Sequence, residues 1–132
     1  MFSGPEGALN TLLCGKNKMS NVLTSEQESV CAKHESECYG IDSSLKVGIA
    51  LNTLDQIPIH ALRLKEEGDT TGWYIWGGEY SDSDDFYQPL CVEHLQKHCP
   101  QIIKYLALAP GYRLIIDNKG YEDVWFDAEI IA

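Results

Sequence analysis

Residues Gly72–Leu95 read GWYIWGGEYSDSDDFYQPLCVEHL, and the rest of the chain can be placed around them. Trp73 and Ile75 alternate with Tyr74 and Trp76, so both sides of this run are apolar or aromatic. A strand of that kind is covered on both faces and belongs in the middle of a sheet. Gly77 and Gly78 follow; residues without a Cβ permit positive φ and close backbone approach, which predicts a bend. The chain then turns acidic, with Glu79, Asp82, Asp84 and Asp85 set among Tyr80, Phe86 and Tyr87. An apolar strand thus delivers a charged loop, after which Phe86, Tyr87, Pro89 and Leu90 return the chain to the core.

Upstream, Ser44–Leu54 has the period of two that marks a strand, with Leu45, Val47, Ile49 and Leu51 opposite Lys46, Gly48, Ala50 and Asn52. Ile59–Leu64 reads as a second short strand, Ile59, Ala61 and Arg63 opposing His60, Leu62 and Leu64, before the polar turn EEGDTT. A helix is signalled over Ser25–Tyr39: Ser25 and Glu28 make a capping box, and Gly40 supplies a left-handed residue past the end. Its stripe of Gln27, Cys31, His34 and Cys38 is only weakly apolar, so it should cover a sheet edge or face rather than fill a core. Residues 1–22 mix Gly, Pro, Asn, Lys and Ser and read as a flexible N-terminal arm ahead of a domain at 23–132. MSNVLTSEQESV, from Met19, is more domain-like, so the residues before it read as an extension or as the product of a start assigned too far upstream.

Downstream, Cys91–His98 is a short helix stopped by Pro100, and a second helix runs from there to Leu108 before Pro110–Gly111. Tyr112–Asp117 and Tyr121–Asp127 form a hairpin about Asn118-Lys119-Gly120, with glycine where a bulge turn requires it. Alternation puts Tyr121, Asp123, Trp125 and Asp127 on one side and Glu122, Val124 and Phe126 on the other. Together these elements predict a single α+β domain, a mixed or antiparallel sheet of about four to six strands with two or three helices packed on it.

At 132 residues the chain is long enough for one well-buried core, and its 44% hydrophobic and 23% charged content is ordinary for a globular domain. The charge balance is not ordinary: 20 Asp and Glu against 10 Lys and Arg give a net charge of −10. Most of the excess lies in the second half, since Met1–Lys65 holds 7 acids and 6 bases but Glu66–Ala132 holds 13 and 4. Nucleic acid and anionic membrane surfaces are excluded as partners on this count, because both are held through Lys and Arg. A basic protein would be steered toward the acidic half. The five cysteines form an odd set without a CxxC pair or a secretory leader, which points to reduced thiols in the cytoplasm. On a continuous helix Cys31 and Cys38 would stand about 10.5 Å apart, too far for a bridge.

Three chemistries are candidates. SDSDD resembles a calcium loop only in its acids, lacking the turn glycine and the closing glutamate. Cys91, His94 and His98, at i, i+3 and i+7, would share a helix face as zinc ligands do, but no second cysteine pair or HExxH accompanies them, so no metal is expected. No cysteine or hydroxyl is paired in sequence with His34 or His60 as a nucleophile would be, and WGGEYS is not a phosphate-cradling glycine loop. A small metal-dependent hydrolase built from the His, Cys and carboxylate groups remains an alternative reading, as does a housekeeping interaction module. The expectation is a noncatalytic protein without a cofactor. Trp73, Trp76 and Trp125 are core residues in the plainest reading; one at a rim beside acids would anchor a protein partner.

GWYIWGGEYS, DDFYQPLCVEHL, the P-x-I-x-x-Y-L segment Pro100–Leu106, Pro110–Gly111 followed by RLI, and YEDVWFD together resemble the bacterial immunity-protein family numbered thirty-three, in its Imm33-like branch. The weaker KVGIALNTLDQIPIHALR is similar to that family's opening strand and loop, so the resemblance covers roughly 46–127. It implies a small cytoplasmic protein that binds and neutralises a cognate bacterial toxin, and it brings no catalytic residues with it. Combined with the acidic surface, it implies a basic toxin domain as partner. The contacts expected are the acids Glu79, Asp82, Asp84, Asp85, Glu122 and Asp123, with Tyr80, Phe86 and Tyr87 as anchors.

Overall fold

The structure is a computed structural model that describes residues 24–39, 41 and 44–131; the arm expected at 1–22 and the capping Gly40 lie outside them. The described residues form six strands: β1 (Lys46–Ile49), β2 (Ile59–Arg63), β3 (Thr70–Gly77), β4 (Gln88–Cys91), β5 (Tyr112–Ile116) and β6 (Glu122–Phe126). They make one sheet of order β4-β1-β3-β2-β5-β6, in which β1 and β3 run parallel and every other pair antiparallel. The Trp73–Trp76 run is therefore inside the sheet, in β3, as its two-sided pattern predicts. The fold is the expected single-domain α+β arrangement with a mixed sheet.

Alternation divides the sheet cleanly. Ile59, Ala61 and Arg63 of β2 pair with Gly77, Ile75 and Trp73 of β3, and Ile59 and Ala61 pair on the other side with Ile116 and Leu114 of β5. These residues form the inner face with Val47 and Ile49, and all of them are buried. Each fully buried large apolar side chain of this set contributes about 1.5–3 kcal/mol by leaving water. Covering them are α1 (Ser25–Lys33), α2 (Leu95–His98) and a 3-10 helix at Pro100–Tyr105, whose Leu95, Ile102 and Tyr105 are buried, as are Leu106 and Leu108 just beyond. Trp73 ties the two layers together, its indole Nε1 donating to the Leu106 carbonyl at 3.0 Å.

Arg63 lies fully inside this interface. Its Nε donates to the Thr71 carbonyl (3.0 Å), one terminal nitrogen to the carbonyls of Leu106 (3.2 Å) and Leu108 (2.8 Å), and the other to Glu66 (2.7 Å). A buried guanidinium survives because its donors are used and one neighbour is an acid. With the Trp73 indole it also satisfies the carbonyls just past the 3-10 segment, Leu106 through both donors and Leu108 through the guanidinium.

Three expectations about helices are corrected. The capping box is present but is built by Thr24 and Gln27, one residue ahead of Ser25 and Glu28. The helix ends at Lys33 rather than Tyr39: Ser36 N–H donates to the Cys31 carbonyl (2.8 Å) and Glu35 N–H to Ala32 (3.2 Å), with Glu35 left-handed at φ 59. This is a Schellman closure made without glycine. Because the helix stops, Cys38 folds back beside Cys31, and burial together with this neighbour pushes the Cys31 thiol up to about 12, overturning the separation expected on a continuous helix. Cys31, Cys38 and Cys99 are free thiols, whereas Cys91 is disulfide-bonded, so the reduced reading does not extend to Cys91. Third, Cys91 closes strand β4, and the two helices expected after it are 3-10 at Val92–His94 and Pro100–Tyr105 with only α2 between.

The hairpin follows its sequence. β5 and β6 pair from Tyr112↔Phe126 to Ile116↔Glu122, and Asp117 Oδ1 accepts from Lys119 N–H (2.8 Å) and Tyr121 N–H (2.9 Å) to hold the turn.

Candidate functional site

All the helices that cover the inner face leave the opposite face of the sheet without a helical layer among the described residues. That outer face carries Tyr74 and Trp76 from β3, His60 and Leu62 from β2, Arg113 and Ile115 from β5, and Asp123 and Trp125 from β6. Gly48 of β1 belongs to it as well, and a Cβ there would meet the Tyr74 ring, so the glycine lets that ring lie flat over its neighbour.

The acidic loop folds down onto this face through its aromatic residues. β3 ends at Gly77, and Gly78 turns the chain at φ 70 while its N–H donates to the Pro58 carbonyl at 2.9 Å. Tyr80 then meets Trp76 edge-on at 5.5 Å, and Tyr87 meets Tyr74 at 4.9 Å and Trp76 at 6.3 Å. Phe86 closes the set against Tyr80 (5.5 Å) and Tyr87 (4.9 Å). Edge-to-face pairs of this kind are each worth about 0.5–1.5 kcal/mol beyond the area they bury. His60 extends the cluster, stacked on Trp76 at 5.0 Å with the rings 9° from parallel. Burial, and then the charge of Arg113, hold the His60 imidazole below its ordinary 6.5, so the ring is neutral at pH 7. Burial likewise pushes the Tyr87 hydroxyl up, keeping it a neutral donor.

The loop acids stay in solvent. Glu79, Asp82, Asp84 and Asp85 are exposed, and none of them forms an ion pair with a described residue. They are nevertheless placed: Ser83 Oγ donates to Asp85 (2.6 Å), Phe86 N–H to the Ser83 carbonyl (3.0 Å), and Gln88 Nε2 to the Asp85 carbonyl (3.0 Å). Gln88 in turn accepts from the Leu51 N–H at 3.0 Å, which joins the loop to the edge of β1.

Between loop and sheet lies a cleft of about 570 Å³, walled by Leu62, Tyr74, Trp76, Tyr87, Arg113 and Ile130. Ile130 comes from the 3-10 turn Ala128–Ile131 after β6. Arg113 brings the cleft its cation, but that charge is met by Asp127 at 3.0 Å, and the guanidinium lies over Trp125, 5.6 Å from the ring centre. The cleft is therefore close to neutral within and acidic at the loop rim.

The residues expected from sequence do not all meet. Glu79, Tyr80, Asp82, Asp84, Asp85, Phe86 and Tyr87 share the loop. Asp123 is exposed on the same face but in β6, three strands from β3, roughly 14 Å away at 4.8 Å per strand. Glu122 is on the inner face, where Lys33 (3.3 Å) and His34 (3.1 Å) of the α1 end hold it. Burial works against its charge, but the hydrogen bonds from His34 and Lys33 win and keep the carboxyl below its ordinary value. His60, Leu62, Arg113 and Ile130 were not singled out from sequence. The alternation of β2 showed His60 and Leu62 sharing a side, but what stands opposite them is set by pairing with β5.

Cys91, His94 and His98 do not share a helix face, since they fall in β4, in a 3-10 turn and at the end of α2. Among the described residues no three His, Cys, Asp or Glu side chains gather as metal ligands would, and no helix is long and apolar enough to cross a membrane.

The family model of the Imm33-like domain matches residues 26–127. The chain belongs to the Imm33-like family. The match begins well ahead of Lys46 and takes in nearly all of α1, so the helix that pins Glu122 is part of the family domain. It ends at Asp127, the partner of Arg113. No curated protein and no solved structure matches the chain.

Proposed function

We propose that this Imm33-like protein acts by binding: it holds a cognate toxin protein and neutralises it, without carrying out a reaction of its own, in the cytoplasm of a bacterium. The observation that carries the reading is the family match across all six strands. The outer face supports it. Exposed aromatic surface beside unpaired acids suits a protein interface better than a reaction centre, because the cleft holds no nucleophile paired with a base and its one cation is already met by Asp127.

The partner that fits is a basic toxin domain. Four loop acids without cations of their own would speed encounter with such a protein and could stand where an anionic substrate's phosphates would lie. Attraction of this type weakens as salt shortens the ~8–10 Å screening length.

The test is protection. Cells expressing the toxin domain encoded beside this chain's gene should survive when this protein is co-expressed, and the purified pair should bind. Reversing Asp82, Asp84 and Asp85 together to Lys should weaken that binding about tenfold or more, mainly through the association rate, with the unfolding transition unchanged. Death of the cells in spite of co-expression would end the immunity reading. Unchanged affinity of the triple variant would remove the loop from the interface.

A further inference from the structure

We propose that the outer-face cleft seats one large apolar side chain of the partner, on a segment whose neighbouring lysines or arginines reach the loop acids. The inference deepens the toxin-binding reading and rests on it for the partner's identity, but its geometry stands separately. The volume of about 570 Å³ is ample for a leucine, phenylalanine or tryptophan together with some of its backbone. The walls are aromatic rings and aliphatic chains, and the His60 ring beneath Trp76 is neutral at pH 7.

The cleft is elongated rather than round. Beyond Leu64, Tyr74 and Ile130 it continues as a smaller groove of about 210 Å³ toward Lys65, Glu67 and Thr70. An extended segment can therefore lie along it with one side chain down. At the groove end the two charges, Lys65 and Glu67, are opposite in sign, whereas the loop end shows only acids. That asymmetry assigns the partner's basic residues to the side of Tyr80 and Tyr87. Arg113 does not oppose them, because Asp127 and Trp125 occupy its charge and its plane.

An arrangement of this type concentrates affinity at the anchor, with the rim charges adding rate and register. It differs from an interface in which Tyr80 and Phe86 project into the partner: here the pocket is on this chain, and the knob is on the toxin.

A random linear peptide library displayed on phage and selected against the full chain tests this without the toxin. The expected survivors carry a large apolar residue with Lys or Arg within a few positions of it. They should lose about tenfold or more in affinity on Leu62→Arg, which puts a charge into the wall. Should that variant fold poorly, Ile130→Trp blocks the mouth from a turn near the chain's end and should give the same loss. Asp82, Asp84 and Asp85 changed together to Asn should cost a smaller, salt-dependent factor. No enrichment, acidic survivors, or survivors that bind both cleft variants as tightly as the parent chain would overturn the proposal. Peptides that behave as expected on a chain that gives no protection from the toxin would leave the cleft standing and remove the immunity reading. Protection that persists in Ile130→Trp, with peptides that ignore the cleft, would do the reverse.

Discussion

Arg63 and Arg113 sit on adjacent strands of one sheet, yet one faces the helices and the other faces out, and they are put to different uses. Arg63 is fully buried and donates to three backbone carbonyls and one carboxylate. Arg113 is a third exposed, has one carboxylate partner, and forms part of a cleft wall. No described buried side-chain nitrogen or oxygen lacks a hydrogen bond, so the polar groups of the inner face are already satisfied by one another. The outer face is different: its rings pair among themselves and Asp127 meets Arg113, but the acids of its loop have no counter-charges. An element whose polar groups are all paired holds a fold together; one with unpaired charge beside apolar surface is poised for something else.

The sharpest way to break this comparison is to remove each arginine in turn. Arg63→Met would take the guanidinium donors from the carbonyls of Thr71 and Leu108 in the core, leaving Leu106 to the Trp73 indole, and is expected to cost about 3–5 kcal/mol in urea unfolding. Arg113→Met should cost less than about 1 kcal/mol, because its ion pair is partly solvated. Equal losses would mean that the outer face is as structural as the inner one.

Glu122 offers a medium effect with a signature in pH. Its carboxyl is held below the ordinary 4.5, so its contribution is fully present above about 4.5 and is lost as pH falls through the lower folded value. Glu122→Gln should therefore lower stability by about 0.5–1 kcal/mol at pH 7, and the gap from the parent chain should close in acid. A gap that persists at low pH would assign Glu122's role to packing rather than to its pairs with Lys33 and His34.

How much of this could be read beforehand depended on the range of the interactions. β3 and the β5–β6 hairpin were legible because alternation and a glycine-containing turn are local signals. The end of α1 was not, because left-handed Glu35 closes the helix where Gly40 looked the better candidate. β4 escaped notice because QPLC has no alternation and contains a proline; it is a strand through its pairing with β1, at the sheet edge where proline is tolerated. Arg63 fitted a strand pattern, but its burial depends on carbonyls 43 and 45 residues away. The same division runs through the site. The loop acids and aromatics are contiguous and were visible as a group, whereas the cleft walls Arg113 and Ile130 arrive from strands and turns brought in by topology. Glu122 and Asp123, neighbours in sequence, are parted by the period of two that sends one to each face.

The smallest effect expected is also the one that separates recognition from stability on the outer face. Asp82, Asp84 and Asp85 are exposed like charges in a short loop, so changing all three to Asn relieves repulsion while giving up the charged form of the 2.6 Å bond from Ser83 to Asp85. The two consequences oppose each other, and the net change in unfolding free energy should stay within about 0.5 kcal/mol. Added salt should make the parent chain resemble the variant, since screening removes the same repulsion. A loss above about 1 kcal/mol would show that the acids hold the loop onto Trp76 and Tyr74, and would move them from the poised side of the comparison to the structural one. A loss near zero leaves the ring contacts of Tyr80, Phe86 and Tyr87 as what positions the loop, and leaves its charge available to a partner.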